Sequence, residues 1–128
     1  MTGKHFVLRY HEIALKGGNR NWFEERLAFN VKKMVGRVLG HDASINTTRE
    51  YGRILLSVMC PDYSAVHEQA VCEALSRTFG IASFSPILIV PTDLAELTRT
   101  ALGEVRGIIS EKGMPGSFRV LARRSDKA

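Results

Sequence analysis

Ala43-Ser44-Ile45-Asn46-Thr47-Thr48 and Arg53-Ile54-Leu55-Leu56-Ser57-Val58-Met59 flank the short connection Glu50-Tyr51-Gly52. Both runs are short and rich in β-branched or aliphatic residues, so they read as a pair of strands, with Ile54, Leu55, Leu56 and Val58 supplying apolar contacts. Pro61 stops the second run, because proline lacks the amide proton that a strand ladder requires. On the N-terminal side of this pair, Phe23, Leu27, Val31, Met34, Val35 and Val38 recur at spacings of three and four, which predicts a helix over Asn21 to Leu39 closed by Gly40. On its C-terminal side, Val66, Ala70, Val71, Ala74 and Leu75 predict a second helix over Ser64 to Thr78, closed by Gly80. Outermost lie two further extended segments, Lys4 to Tyr10 and Ile81 to Val90.

The resulting order is βαββαβ. That order is the split βαβ or ferredoxin-like arrangement of the α+β class, in which two helices cover one face of a four-stranded antiparallel sheet. After Pro91 the pattern restarts. Asp93 is a good N-cap with Glu96 three residues on, and Leu94, Leu97, Ala101, Val105 and Ile108 trace a helical stripe to about Ser110. A turn at Gly113-Met114-Pro115-Gly116 leads into an expected strand, with Phe118, Val120 and Ala122 on one face and Arg119 and Leu121 on the other. One helix and a strand cannot bury a sheet face by themselves, so the expected organisation is a complete domain over 1–80 and an incomplete α/β domain over 81–128. The unfinished sheet edge leaves a homodimer open.

The chain has 128 residues, of which 45% are hydrophobic and 24% charged, a composition in the range of globular proteins. Its longest strongly apolar run, Ile87-Leu88-Ile89-Val90, falls far short of the roughly 20 residues a membrane helix needs, and no signal-peptide core follows Met1. A cytoplasmic setting without membrane contact is the expectation. Cys60 and Cys72 have no CxxC partner and point to reduced, buried thiols rather than a zinc site. His5, His11, His41 and His67 show no metal-ligand spacing.

Net charge is +5, unevenly spread. Residues 1–37 hold eight Lys/Arg against three carboxylates, and residues 112–128 hold five against one, whereas the segment between is net acidic. Two basic ends suit a polyanion, since each cation placed near a phosphate releases condensed counterions; a solubilising surface is the alternative. Lys16-Gly17-Gly18-Asn19-Arg20 enters the first helix as an anion-binding turn, where glycine lets the backbone approach and helix amides are unpaired. Arg26, Asn30, Lys33 and Arg37 form a basic stripe on that helix, suited to a phosphate backbone or to solvent. Arg123-Arg124 could clamp phosphates bidentately. Tyr10, Trp22, Tyr51 and Phe84 are aromatic candidates for base stacking, with core packing the better reading for Trp22 and Phe84. No SGGxDS phosphate loop, zinc-deaminase pattern or methyl-donor loop occurs, so the chain reads as a binding part rather than a complete enzyme.

Three stretches carry a family resemblance. Arg9-Tyr10-His11-Glu12-Ile13-Ala14-Leu15-Lys16-Gly17-Gly18-Asn19-Arg20 with Phe23-Glu24, then Phe79-Gly80-Ile81-Ala82-Ser83-Phe84-Ser85-Pro86, then Ser117-Phe118-Arg119-Val120 and Ala122-Arg123-Arg124-Ser125-Asp126-Lys127 closely resemble the front of the tRNA 4-thiouridine synthetase family. These sulfurtransferases also serve thiamine thiazole biosynthesis. The resemblance implies a ferredoxin-like domain, a THUMP RNA-binding domain cut short in this sequence, and a PP-loop catalytic domain that is not in it. It further implies that ATP binding, the catalytic cysteine and the docking of a cysteine desulfurase belong to the remainder, so this chain carries no cofactor and no catalytic residue; neither Cys60 nor Cys72 stands where that cysteine would be. The expected role is tRNA binding through Lys16, Arg20, Lys33, Arg37, Arg53, Lys112, Arg119, Arg123, Arg124 and Lys127. Alternatives are the RNA-binding module of another THUMP-bearing RNA-modifying enzyme, such as a methyltransferase, or a ferredoxin-like interaction or small-ligand domain.

Overall fold

The computed structural model describes residues 2–11, 18–50 and 52–122. Seven elements follow one another: β1 (Thr2–Tyr10), α1 (Arg20–Leu39), β2 (Ser44–Glu50), β3 (Arg53–Cys60), α2 (Ala65–Ser76), β4 (Ile81–Ile87) and α3 (Leu94–Lys112). The first six form the expected βαββαβ unit. Their strands make one four-stranded antiparallel sheet in the order β2-β3-β1-β4.

Side-chain alternation decides what each face of the sheet does. Phe6, Leu8 and Tyr10 of β1 and Ile54, Leu56 and Val58 of β3 point to one side and are buried. Register makes Phe6 the partner of Leu56 and Leu8 the partner of Ile54, so the two central strands present one continuous apolar strip. Leu27, Val31 and Val35 of α1 and Val71, Ala74 and Leu75 of α2 close over that strip as a single core. Burying each large aliphatic or aromatic side chain contributes about 1.5–3 kcal/mol, so this layer supplies most of the drive to fold. Phe84 packs against it from the edge strand, as its sequence position predicts.

Local signals fix the helix ends. The Gly40 amide donates to the Gly36 carbonyl at 2.9 Å and ends α1. At the start of α2 the Ser64 amide donates to Nδ1 of His67 at 3.1 Å, so this histidine acts as the reciprocal cap of the first turn. Gly80 links α2 to β4 with φ of +104°, a left-handed conformation that favours glycine, and a Cβ there would stand 3.3 Å from the Phe23 ring. Pro86 is tolerated within β4 because that strand lies at the sheet edge.

Several expectations shift. The chain divides into two compact units after Ile89, not at residue 80, because β4 is hydrogen-bonded along β1 and so completes the first unit. Val38 and Val66, read as core, are 46% and 76% exposed, since each lies at the rim of its apolar stripe. In the second unit, α3 forms as expected, with the Asp93 carboxylate accepting from the Ala95 amide at 3.0 Å. Its Leu94, Leu97, Val105 and Ile108 are exposed, and it buries no residue. Of the strand expected from Ser117 onward, the described part Ser117–Ala122 pairs with no described neighbour and stays exposed, and the remainder, 123–128, lies outside the described residues. Among the described residues, no helix is long and apolar enough to cross a membrane.

Candidate nucleic-acid interface

Cations gather at one end of the first unit, where β1 stops, β3 starts and α1 begins. Arg20 opens α1 and reaches back in two directions. Its Nε lies 3.5 Å from the carboxylate of Glu24, one helical turn on, and its guanidinium approaches the turn at Gly52 to within 3.7 Å of where a side chain would begin. Arg53, the first residue of β3, lies 3.6 Å from Glu50 across that same turn. Arg49, at the end of β2, donates to the Asn21 carbonyl at 3.4 Å and ties the hairpin to the helix start. Arg9, next to last in β1, donates to the hydroxyls of Ser85 at 3.1 Å and Ser83 at 3.5 Å. Among the described residues here, two carboxylates partly offset four guanidinium groups, and the remainder is positive.

Glu24 is 5% exposed although charged, and its partner Arg20 keeps it from being an isolated buried ion. The Tyr10 hydroxyl lies beside this pair with no hydrogen-bond partner, and burial pushes its pKa up. Trp22, expected in the core, is instead 65% exposed on the outward side of the first turn of α1, with the Arg26 guanidinium 5.9 Å from its ring centroid. A cation over an indole face holds the ring in place at a cost in its freedom. Farther along, a shallow cleft between α1 and β2 is lined by Glu25, Phe29, Lys32, Thr47 and Arg49, with Phe29 61% exposed.

Of the residues named from sequence, Arg20 and Arg53 meet at this basic end. Lys33 and Arg37 are exposed on α1 and, among the described residues, have no carboxylate within ion-pair distance. At 1.5 Å per residue they stand about 20 Å or more along the helix from Arg20, so the stripe and the basic end are separate features. Lys112 closes α3 and Arg119 lies on the exposed extended segment after it, both in the second unit. Lys16, Arg123, Arg124, Lys127 and Tyr51 fall outside the described residues. Sequence reasoning missed Arg9 and Arg49. Arg9 was recoverable, because an arginine interrupting an alternating apolar strand must sit on a definite face; Arg49 lies in a largely polar strand that gives no such signal.

The two thiols offer no reactive centre. Cys60 is buried, and burial, reinforced by Glu68, pushes the Cys72 thiol up from its ordinary range, away from the thiolate that reacts.

Residues 5–85 match the family described as the ThiI ferredoxin-like domain. The chain belongs to this family. The matched range runs from within β1 to within β4, which is the compact βαββαβ unit and no more. Similar proteins include a probable tRNA sulfurtransferase of Brevibacillus brevis, 40% identical over 121 residues that cover 94% of this chain and 27% of that protein. A probable tRNA sulfurtransferase of Listeria innocua is 36% identical over 127 residues, covering 99% of this chain and 28% of its own length. Among solved structures, a 4-thiouridine synthetase in complex with RNA and with bound ATP superposes with a TM-score of 0.60 at 27% identity, covering 86% of this chain and 25% of that one. The chain therefore spans between a quarter and a third of the length of these relatives.

Proposed function

We propose that this chain is a tRNA-holding part of a tRNA sulfurtransferase. The observation that carries the reading is the likeness, over 86% of the chain, to a 4-thiouridine synthetase whose structure contains RNA. The cluster of Arg9, Arg20, Arg49 and Arg53 supports it with a place for phosphates, and the exposed Lys33 and Arg37 add a second, separate basic patch farther along α1. Guanidinium groups bind phosphate bidentately, and contacts of this kind position an RNA without reading its bases. Recognition is then by the shape of a folded tRNA.

In this reading the residues after β4 begin the THUMP part, and the basic residues Lys112 and Arg119 serve the same RNA. Activation of uridine with ATP, the reactive cysteine, sulfur delivery from a cysteine desulfurase, the link to thiamine and a cytoplasmic setting are assigned to the whole protein. The buried Cys60 and the raised pKa of Cys72 fit a division in which this part binds and another reacts.

Titration of fluorescently labelled tRNA with the chain, read as anisotropy at 50 to 200 mM salt, tests the proposal. The expected result is a log-log fall of affinity with salt whose slope is about −0.9 or −0.7 per phosphate contact. Absence of binding at the lowest salt, or binding indifferent to salt, would overturn it.

A further inference from the structure

The face of the sheet turned away from the helices carries a row of polar side chains across all four strands, charged on β2, β3 and β1 and ending at a serine on β4. In β-register, Glu50 of β2 pairs with Arg53 of β3, Arg53 pairs with Arg9 of β1, and Arg9 pairs with Ser83 of β4. Arg9 falls between the buried Leu8 and Tyr10, and Arg53 precedes the buried Ile54, so both lie on the open side; register places Glu50 and Ser83 beside them on that side. Two arginines are thus direct cross-strand partners. Such partners have Cα atoms about 4.5–5.5 Å apart, and like charges set opposite each other destabilise a sheet.

Nothing about folding asks for this repulsion, and the face only half relieves it. Glu50 is its one carboxylate among the described residues, 3.6 Å from Arg53, whereas Arg9 is met by two neutral hydroxyls. Those hydroxyls of Ser83 and Ser85 hold the Arg9 guanidinium in a fixed orientation and leave its charge uncompensated. Behind the row, the same face continues with the buried Val7 and with Leu55, then Ser57 and His5, and among the described residues it presents no Phe, Tyr or Trp. Two adjacent forks of N–H donors, one of them pre-oriented, with surplus positive charge, match the geometry of a phosphodiester.

We propose that the open face of the sheet, centred on the Arg9–Arg53 pair, is a contact surface for the phosphate backbone of RNA, distinct from the basic stripe on α1 and gated in strength by Glu50. The proposal rests on the RNA-binding reading above and names where on this unit a backbone lies.

The test compares the full chain with Arg9→Gln, Arg53→Gln, the double variant and Glu50→Gln, by tRNA anisotropy against salt, with thermal unfolding recorded alongside. Each arginine variant is expected to weaken binding several-fold and to flatten the salt slope by about one contact, the double variant by about two, with unfolding temperature held or raised as the like-charge contact is relieved. Glu50→Gln is expected to tighten binding about two- to fivefold and steepen the slope, a gain that misfolding cannot produce. A double variant that binds with the original affinity and slope, or a Glu50→Gln variant that binds no better, overturns this surface while leaving the RNA-binding reading intact. Failure of the unaltered chain to bind tRNA overturns both.

Discussion

Tyr63 shows how a single hydroxyl can be worse than none. Its ring stacks on His67 with centroids 5.7 Å apart, while its hydroxyl is buried without a hydrogen-bond partner. An unpaired buried donor loses its water and receives nothing in return. Replacing Tyr63 with Phe is therefore expected to leave stability at neutral pH unchanged or slightly raised in urea unfolding. Burial, with smaller contributions from Glu68 and the two cysteines, pushes the phenol up to about 12. The folded state thus keeps this proton over a range where the unfolded chain gives it up. The resulting stabilisation is complete below pH 10 and is lost as pH rises from about 10 to 12. Unfolding temperature should fall across that window more steeply in the native chain than in Tyr63→Phe; parallel curves would show that another group controls the alkaline limb. None of this was visible in the sequence, where Tyr63 is an ordinary aromatic after a proline turn. Trp22 was misread for a related reason: it adjoins Phe23 in an apolar stretch, and only the helix phase sends one ring to the core and the other to solvent.

At the scale of elements, helix phase separates residues that hydrophobicity alone treats as equal. Leu27 and Val38 both belong to the periodic stripe of α1, yet Leu27 is 2% exposed and Val38 46%. Leu27→Ala should cost about 2–5 kcal/mol in denaturant unfolding, within the range for a buried leucine, whereas Val38→Ala should stay within about 0.5 kcal/mol. Equal costs would mean that the rim of the stripe packs more tightly than the structure shows. The order βαββαβ was legible because the hairpin β2–β3 interrupts two clear helical periods, and the helix limits fell within a residue or two of their caps. The boundary near residue 80 was misplaced for a physical reason. Phe79-Gly80 ends a helix and invites a break, but β4 beyond it pairs along the free side of β1 and completes the sheet. The strand expected from Ser117 onward had the right alternation and, over 117–122, no partner among the described residues, and a strand without a ladder neighbour has nowhere to place its amides.

For the whole molecule, the organising fact is that the first unit contains its own core, whereas α3 of the second buries none of its residues. Limited proteolysis under native conditions should cut first in the connection around Leu88–Asp93 or in the segment after Lys112, both exposed and outside the paired strands. The product ending near Ile89 should retain a cooperative thermal transition close to that of the full chain; loss of that transition would mean that α3 contributes to the fold of the first unit. Of the candidate interface, the sequence revealed that charge sits at the ends of the chain but not that strand pairing collects it. Arg9 and Arg53 are 44 residues apart along the chain and become neighbours only through the register of β1 on β3. Periodicity within one element is local information, whereas a row across four strands is a property of the assembled sheet.

That row depends on the left-handed Gly52, whose φ of +74° lets β2 turn into β3 so that Glu50 meets Arg53. A residue unable to adopt this conformation would invite pairing shifted by one position, and in a strand of period two such a slip exchanges the two sides completely. Ile54, Leu56 and Val58 would then be turned toward water, and Arg53 toward the helices. One glycine thus acts as the hairpin's polarity switch: it decides which side of the sheet becomes interior and which becomes the surface shown to the outside world.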